Sequence, residues 1–185
     1  MFGLSFGGVI GQRLALRHPA RVRTLTTFAA GPSDAGLLTV MVRYLRWRRQ
    51  LRLLRLTRRT PDDAALAEGV LAAAATPAYP AEEGMARDAM ARDRSHGIRS
   101  FRDMAAQGRQ TRARWHGPPL RELRTPALII CGGADPLLHP RASRHTAAAI
   151  SGARLLILPG VGHLPARTAW PVIAGEMRAL ADRAR

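Results

Sequence analysis

Met1-Phe2-Gly3-Leu4-Ser5-Phe6-Gly7-Gly8, the first eight residues of the chain, decide how the rest is read. Gly3-x-Ser5-x-Gly7 has the pattern of a nucleophile elbow, a serine on a tight turn between a strand and the helix that follows. A serine that must project free of its neighbours needs a strained backbone with φ above zero. On either side of it a β-carbon would strike the strand or hold the helix off the sheet, so glycine is expected there. Ser5 would then stand at a helix N-terminus, where free N–H groups and the positive dipole end favour developing negative charge. The Phe6 N–H is the expected first donor to an oxyanion. The competing reading is a plain glycine-rich turn, and the rest of the chain must decide.

From Gly7 the pattern turns helical, with Val9, Ile10, Leu14 and Leu16 apolar and Gln12, Arg13 and Arg17 polar. His18-Pro19 stops it, because proline disfavours helix in the residue before it. Arg21 to Phe28 alternates and is rich in Val and Thr, as a strand would be, and Ala30-Gly31-Pro32 closes it. The opening residues therefore read as the second half of a βαβ unit. Composition shifts at Ser33. Leu37 to Leu56 carries Leu37, Leu38, Met41, Leu45, Leu51 and Leu54, with eight arginines between Arg43 and Arg59 and no acid among them. A single basic amphipathic helix is expected, packed on its own domain with a solvated arginine face or laid on an anionic membrane surface or partner. Thr60-Pro61-Asp62-Asp63 is a helix start, with Thr60 as N-cap, Pro61 at the first position and acids in the first turn. That helix should run to about Ala75. Two more are expected near Ala81–Asp93 and Ile98–Trp115, so residues 33–116 read as an all-helical insertion between strands.

The strand–helix rhythm then returns. Ala127 to Cys131 is a continuous apolar run suited to a strand covered on both faces. Gly132-Gly133 ends it, and Ala134-Asp135-Pro136 follows. Arg141 to Ile150 reads as helix, Arg154 to Leu158 as strand, Pro159 to His163 as a turn, and Thr168-Ala169-Trp170-Pro171 as the start of a last helix reaching about Arg183. In a doubly wound parallel sheet, functional groups gather at the carboxyl ends of strands. Ser5, Asp135 and His163 each follow a strand-like run, so all three should face one crevice. Serine is a weak nucleophile that needs a base, histidine can take its proton, and a carboxylate fixes the imidazole tautomer and steadies the imidazolium.

Other candidates fit these roles less well. His18 precedes a proline at a helix end, His96 and His116 fall in or beside the helical insertion, and His139 and His145 flank the helix after Asp135. Of these, His139 is the one that could line the crevice. Asp103 lies among arginines and suits an ion pair. Phe2, Phe6 and Trp115 could line a pocket or pack in the core.

At 185 residues the chain suffices for one domain with a proper core and a small subdomain. Its 29 basic residues are all arginine and face 13 acids, giving +16. With no lysine and abundant Ala, Gly and Pro, part of that charge reflects a GC-rich coding bias. Specific nucleic-acid binding is not expected, since no binding motif or aromatic-interleaved basic strand accompanies the charge. Cys131, alone, excludes an intrachain disulfide or a cysteine-rich zinc site and reads as a small buried hydrophobe. No signal-peptide pattern opens the chain and no apolar run approaches the ~18 residues of a membrane span, so a cytoplasmic protein is expected.

Gly3-Leu4-Ser5-Phe6-Gly7-Gly8-Val9-Ile10 with His18-Pro19-Ala20-Arg21-Val22 resembles the elbow and following strand of α/β-hydrolases. So do Thr125 to Ile130 leading to Gly133-Ala134-Asp135-Pro136, and Leu158 to Pro165. The resemblance implies an α/β chain: a partial α/β-hydrolase fold of C-terminal parallel strands with flanking helices and a helical cap. Residues 1–32 and 117–185 would form the core and 33–116 the cap. It implies Ser5 as nucleophile, Asp135 as acid, His163 as base and the Phe6 N–H in the oxyanion hole. The implied reaction is hydrolysis of a small-molecule carboxylic ester through an acyl-enzyme, similar to esterases of the kind that includes polyketide methylesterases. Serine rather than aspartate at the elbow speaks against the dehalogenase and epoxide-hydrolase branches. No metal or organic cofactor is implied.

The family pattern has several strands before the elbow and a loop there, commonly with a His-Gly segment, that gives the second oxyanion N–H. Against it the chain looks N-terminally truncated, with strands near Arg21–Phe28, Ala127–Cys131 and Arg154–Leu158 and an exposed sheet edge open to self-association. Losing one oxyanion donor typically costs about 10²–10³ in turnover, and a misplacement of about 1 Å a further 10². An impaired enzyme is therefore expected. The alternatives are a non-catalytic remnant and a basic surface-binding protein.

Overall fold

The computed structural model describes residues 1–59, 62–97 and 114–184. Four parallel strands form one sheet in the order β1-β2-β3-β4. They are β1 (Phe2–Leu4), β2 (Leu25–Phe28), β3 (Ala127–Gly132) and β4 (Arg154–Leu158). The few residues ahead of Ser5 are thus a strand in their own right, pairing Phe2 with Thr26 and Leu4 with Phe28. Every residue of β2 and β3 is buried. Alternation explains why an apolar run suits this place: Leu128 and Ile130 enter one core layer, Ala127 and Ile129 the other. The first layer is closed by α7 (Trp170–Arg183), which lays Ile173, Met177 and Leu180 against the sheet. The second is closed by α1 (Phe6–Arg17) and α6 (Arg141–Ala149), with Leu120 and Leu123 filling the rim. Each fully buried Leu or Ile is worth roughly 1.5–3 kcal/mol, so these two layers hold the sheet. The expected partial α/β-hydrolase architecture is what the chain adopts.

Several boundaries differ from expectation. Strand β2 starts at Leu25 rather than Arg21, because Pro19–Arg21 form a 3-10 turn that brings the chain back from α1. The basic segment is not one helix: α2 (Leu37–Thr39) runs into a π-turn over Val40–Tyr44, Leu45 is extended, and α3 (Trp47–Arg59) restarts. The cause is tertiary. Leu45 forms an antiparallel bridge with Leu138, Arg46 N donates to Leu137 O and His139 N to Tyr44 O. The next helix, α4 (Asp63–Ala74), is capped by Asp62, whose carboxylate accepts from Ala65 N at 2.7 Å, rather than by Thr60. Thr60 and Pro61 lie outside the described residues.

Helix α5 (Met85–Ser95) begins after Gly84, which has φ at 79°, rather than near Ala81 as expected. The helix expected near Ile98–Trp115 falls mostly outside the described residues, as does Asp103, while Trp115 and His116 lie in coil. Among the described residues no helix is long and apolar enough to cross a membrane.

Candidate active site

Ser5 sits between β1 and α1 with φ 50° and ψ −117°, the strained conformation that the motif demands. Its N–H donates to Phe28 O at 2.7 Å, fixing the turn to the neighbouring strand, and its C=O accepts from Gly8 N at 3.0 Å. A β-carbon on Gly3 would overlap the Gly7 carbonyl, and one on Gly8 would lie 2.5 Å from Ala30 Cβ. Both glycines are therefore needed for close approach. Gly7 is not: a β-carbon there would meet nothing within 4 Å, so the expectation of steric need at Gly7 is corrected. The Phe6 N–H opens α1, one of the donors without an intrahelical acceptor at a helix start.

Asp135 follows the end of β3 and is 1% exposed. One carboxylate oxygen accepts from Leu137 N at 2.8 Å and Leu138 N at 2.9 Å, leaving the other for a single partner. That partner is His163 Nδ1, at 2.7 Å. The loop bearing His163 can come this close because position 132 is glycine: a β-carbon there would overlap the Val161 and Gly162 carbonyls. Two bonds to the end of α4 and just past it steady the same loop, His163 N donating to Ala74 O at 2.9 Å and Thr76 Oγ1 to Gly160 O at 2.8 Å. With Nδ1–H donating to the carboxylate, Nε2 is the free lone pair. It lies 2.9 Å from Ser5 Oγ, whose hydroxyl donates to it. The three side chains expected to converge do so, in one hydrogen-bonded line.

Two recesses meet at Ser5. The larger, about 480 Å³, has apolar walls from Leu4, Leu53, Val70, Leu71 and Leu164, with His163 at its edge. The smaller, about 190 Å³, runs along Val9, Ala30 and Ser33 to Arg13. Phe6, Leu45 and Leu138 border both. Phe6 thus lines a cavity, Phe2 packs on Trp170 at 5.8 Å, and Trp115, beneath the guanidinium groups of Arg13 and Arg17, borders a further recess of about 410 Å³ with Phe6. His139 borders neither recess; its Nδ1 accepts from Arg141 N. Burial, then the guanidinium groups of Arg141, Arg46 and Arg144, push its imidazole below the usual histidine range. His145 lies within α6 rather than beside it and meets Tyr44 Oη at 2.8 Å. Burial pushes the Cys131 thiol up, as befits a core residue.

Gln12 was expected on the polar face of α1, yet it is fully buried. Its amide donates to Gly31 O and accepts from Ser33 N, and Arg13 donates twice to Ser33 O. These two side chains hold the wall of the smaller recess. A single glutamine in a helical pattern carries no sequence signal for that task. Among the described residues no three His, Cys, Asp or Glu side chains gather where they could hold a metal ion.

The sequence pattern of the alpha/beta hydrolase fold family matches residues 1–166. No protein of curated description matches the chain by sequence. Solved structures do match it by fold. The enol-lactonase from Burkholderia xenovorans aligns with a TM-score of 0.60 at 22% identity, over 97% of this chain and 64% of that one. The meta-cleavage product hydrolase from Pseudomonas fluorescens aligns at 0.66 and 16%, over 100% and 64%. The 2-hydroxy-6-oxo-6-phenylhexa-2,4-dienoate hydrolase from Rhodococcus aligns at 0.65 and 16%, over 97% and 62%. The chain thus spans a little under two thirds of the length of these structures. Identities this low speak for shared fold alone. With the family pattern spanning most of the chain and the sheet built as described, the protein belongs to the alpha/beta hydrolase fold family.

Proposed function

We propose that the chain carries the chemistry of a serine hydrolase acting on a small-molecule carboxylic ester through an acyl-enzyme. Ser5 is the nucleophile, on a nucleophile elbow, His163 the general base and Asp135 the acid that orients it. Residues 1–32 and 117–185 form the catalytic core, and 33–116 a cap over it. The observation that carries the reading is the line Ser5 Oγ–His163 Nε2 at 2.9 Å and His163 Nδ1–Asp135 Oδ2 at 2.7 Å.

As Ser5 Oγ attacks the ester carbonyl, its proton passes to His163 Nε2, and Asp135 stabilises the imidazolium. The developing oxyanion meets the Phe6 N–H at the start of α1, where the helix dipole also favours it. Collapse of the tetrahedral intermediate returns the proton from His163 to the leaving alcohol, and the acyl group stays on Ser5. A water then gives a proton to His163 and attacks the acyl carbonyl, and collapse of this second intermediate passes that proton from His163 to Ser5 Oγ, releasing the acid and restoring Ser5. The unequal recesses, about 480 and 190 Å³, favour an ester with a bulky apolar group on one side and a smaller group on the other.

The test is a first-turnover experiment with short-chain p-nitrophenyl esters. One equivalent of p-nitrophenolate per folded chain is expected as a burst, absent in Ser5→Ala and slowed by about 10²–10⁴ in His163→Ala. A burst that survives Ser5→Ala would remove the proposal.

A further inference from the structure

The segment from Leu37 to Arg59 has two unlike sides. Its inner side serves the recess beside Ser5: Leu45 and Leu53 line it, and Leu56 lies where a β-carbon on Gly69 of α4 would collide. Leu38, Val42, Trp47 and Leu51 border neither recess at Ser5 and are 75, 66, 43 and 48% exposed. All eight arginines between Arg43 and Arg59 are exposed as well, and the segment holds no acid. At about 3.6 residues per turn, Trp47, Leu51, Arg55 and Arg58 fall on one stripe of α3, opposite Leu53 and Leu56. Arg48, Arg52 and Arg59 border that stripe, and Arg49, Arg52, Arg55 and Arg59 also edge the recess between α3 and α4 beside Leu53 and Leu56. Arg46, Arg48, Arg49 and Arg52 also edge an open depression of about 730 Å³ beside Ala134 and Pro136.

We propose that this face docks the protein on an anionic lipid bilayer. Two kinds of surface are present together, and a bilayer satisfies both. Arginines at the border meet lipid phosphates, and the exposed Trp and aliphatic side chains enter the acyl boundary, Trp lying at headgroup depth. A nucleic acid would neutralise the arginines equally well but has no apolar phase for Leu38, Val42, Trp47 and Leu51. Docked this way, α3 would stand between the lipid and the recess at Ser5, with Leu45 and Leu53 still facing inward. The docking itself does not depend on Ser5 being reactive.

The whole chain is mixed with vesicles of phosphatidylcholine, with and without phosphatidylglycerol, and bound protein is read by sedimentation and by Trp fluorescence. Binding is expected only with phosphatidylglycerol, with a blue shift that Trp47→Phe abolishes. Arg48→Glu, Arg52→Glu and Arg55→Glu together should weaken binding at least about tenfold. Trp47→Ser with Leu51→Ser should weaken it about as much, with circular dichroism unchanged. Absence of binding to phosphatidylglycerol vesicles at low salt would overturn the proposal. So would vesicle binding indifferent to Trp47→Ser and Leu51→Ser alongside equally tight, salt-sensitive binding of duplex DNA, which would assign the face to nucleic acid.

Discussion

Ser5 holds φ at 50° although it carries a side chain. Such a conformation costs on the order of 1–3 kcal/mol and persists only where the surroundings over-determine it. Here they do so through Phe28 O, Gly3 and Gly8. Ser5→Gly should therefore be more stable to denaturant than Ser5→Ala by about 1 kcal/mol, since glycine relieves the strain at some entropic cost. Both should lose the burst. Gly8→Ala should cost about 1–3 kcal/mol through its collision with Ala30, while Gly7→Ala should fall within about 0.5 kcal/mol of the parent. Equal effects at the two positions would contradict the packing described. Much of this was legible in the sequence, because the motif states its own backbone geometry. Gln12 was not legible. Its partners, Gly31 and Ser33, lie beyond β2, and helical periodicity assigned it to solvent. Gln12→Ala should cost about 1–3 kcal/mol for each buried backbone group left unpaired, read as a shift in denaturation midpoint.

Among the elements, those written as continuous apolar runs were the easiest to find. β3 and β4 end within a residue of their expected limits: every residue of β3 is buried, while β4, buried only at Leu158, is delimited by the turns at Gly152 and Gly160, both with positive φ. The segment over Leu37–Arg59 shows the opposite case. Its composition favours a single helix, but the Leu45 backbone is taken by Leu138, a partner that no local pattern reveals. The same holds for the bonds from Ala74 and Thr76 to the loop bearing His163. They couple the position of α4 to that of the proposed base. Thr76→Val, which removes the bond to Gly160, is expected to slow the acylation burst several-fold with circular dichroism unchanged, since misplacement of about 1 Å can cost 10² in rate. An unaltered burst would show that the loop is held without it. Asp62→Ala, which strips the cap from α4, should cost about 1 kcal/mol of stability.

In the molecule as a whole, β1 is an edge strand whose Phe2 is 37% exposed, next to an unpaired row of backbone groups among the described residues. Such edges pair with other chains. We expect association that grows with protein concentration in sedimentation velocity and is weakened by Phe2→Lys; a monomer at all concentrations would argue against pairing through β1.

The central claim concerns the line from Asp135 through His163 to Ser5, and covalent labelling probes it most directly. Treated with a fluorophosphonate and mapped by peptide mass spectrometry, the folded chain should carry the label on Ser5, at a rate at least about 10² lower in His163→Ala. A folded chain in which Ser5 stays unlabelled, or in which His163→Ala labels Ser5 as fast as the parent, would contradict the account.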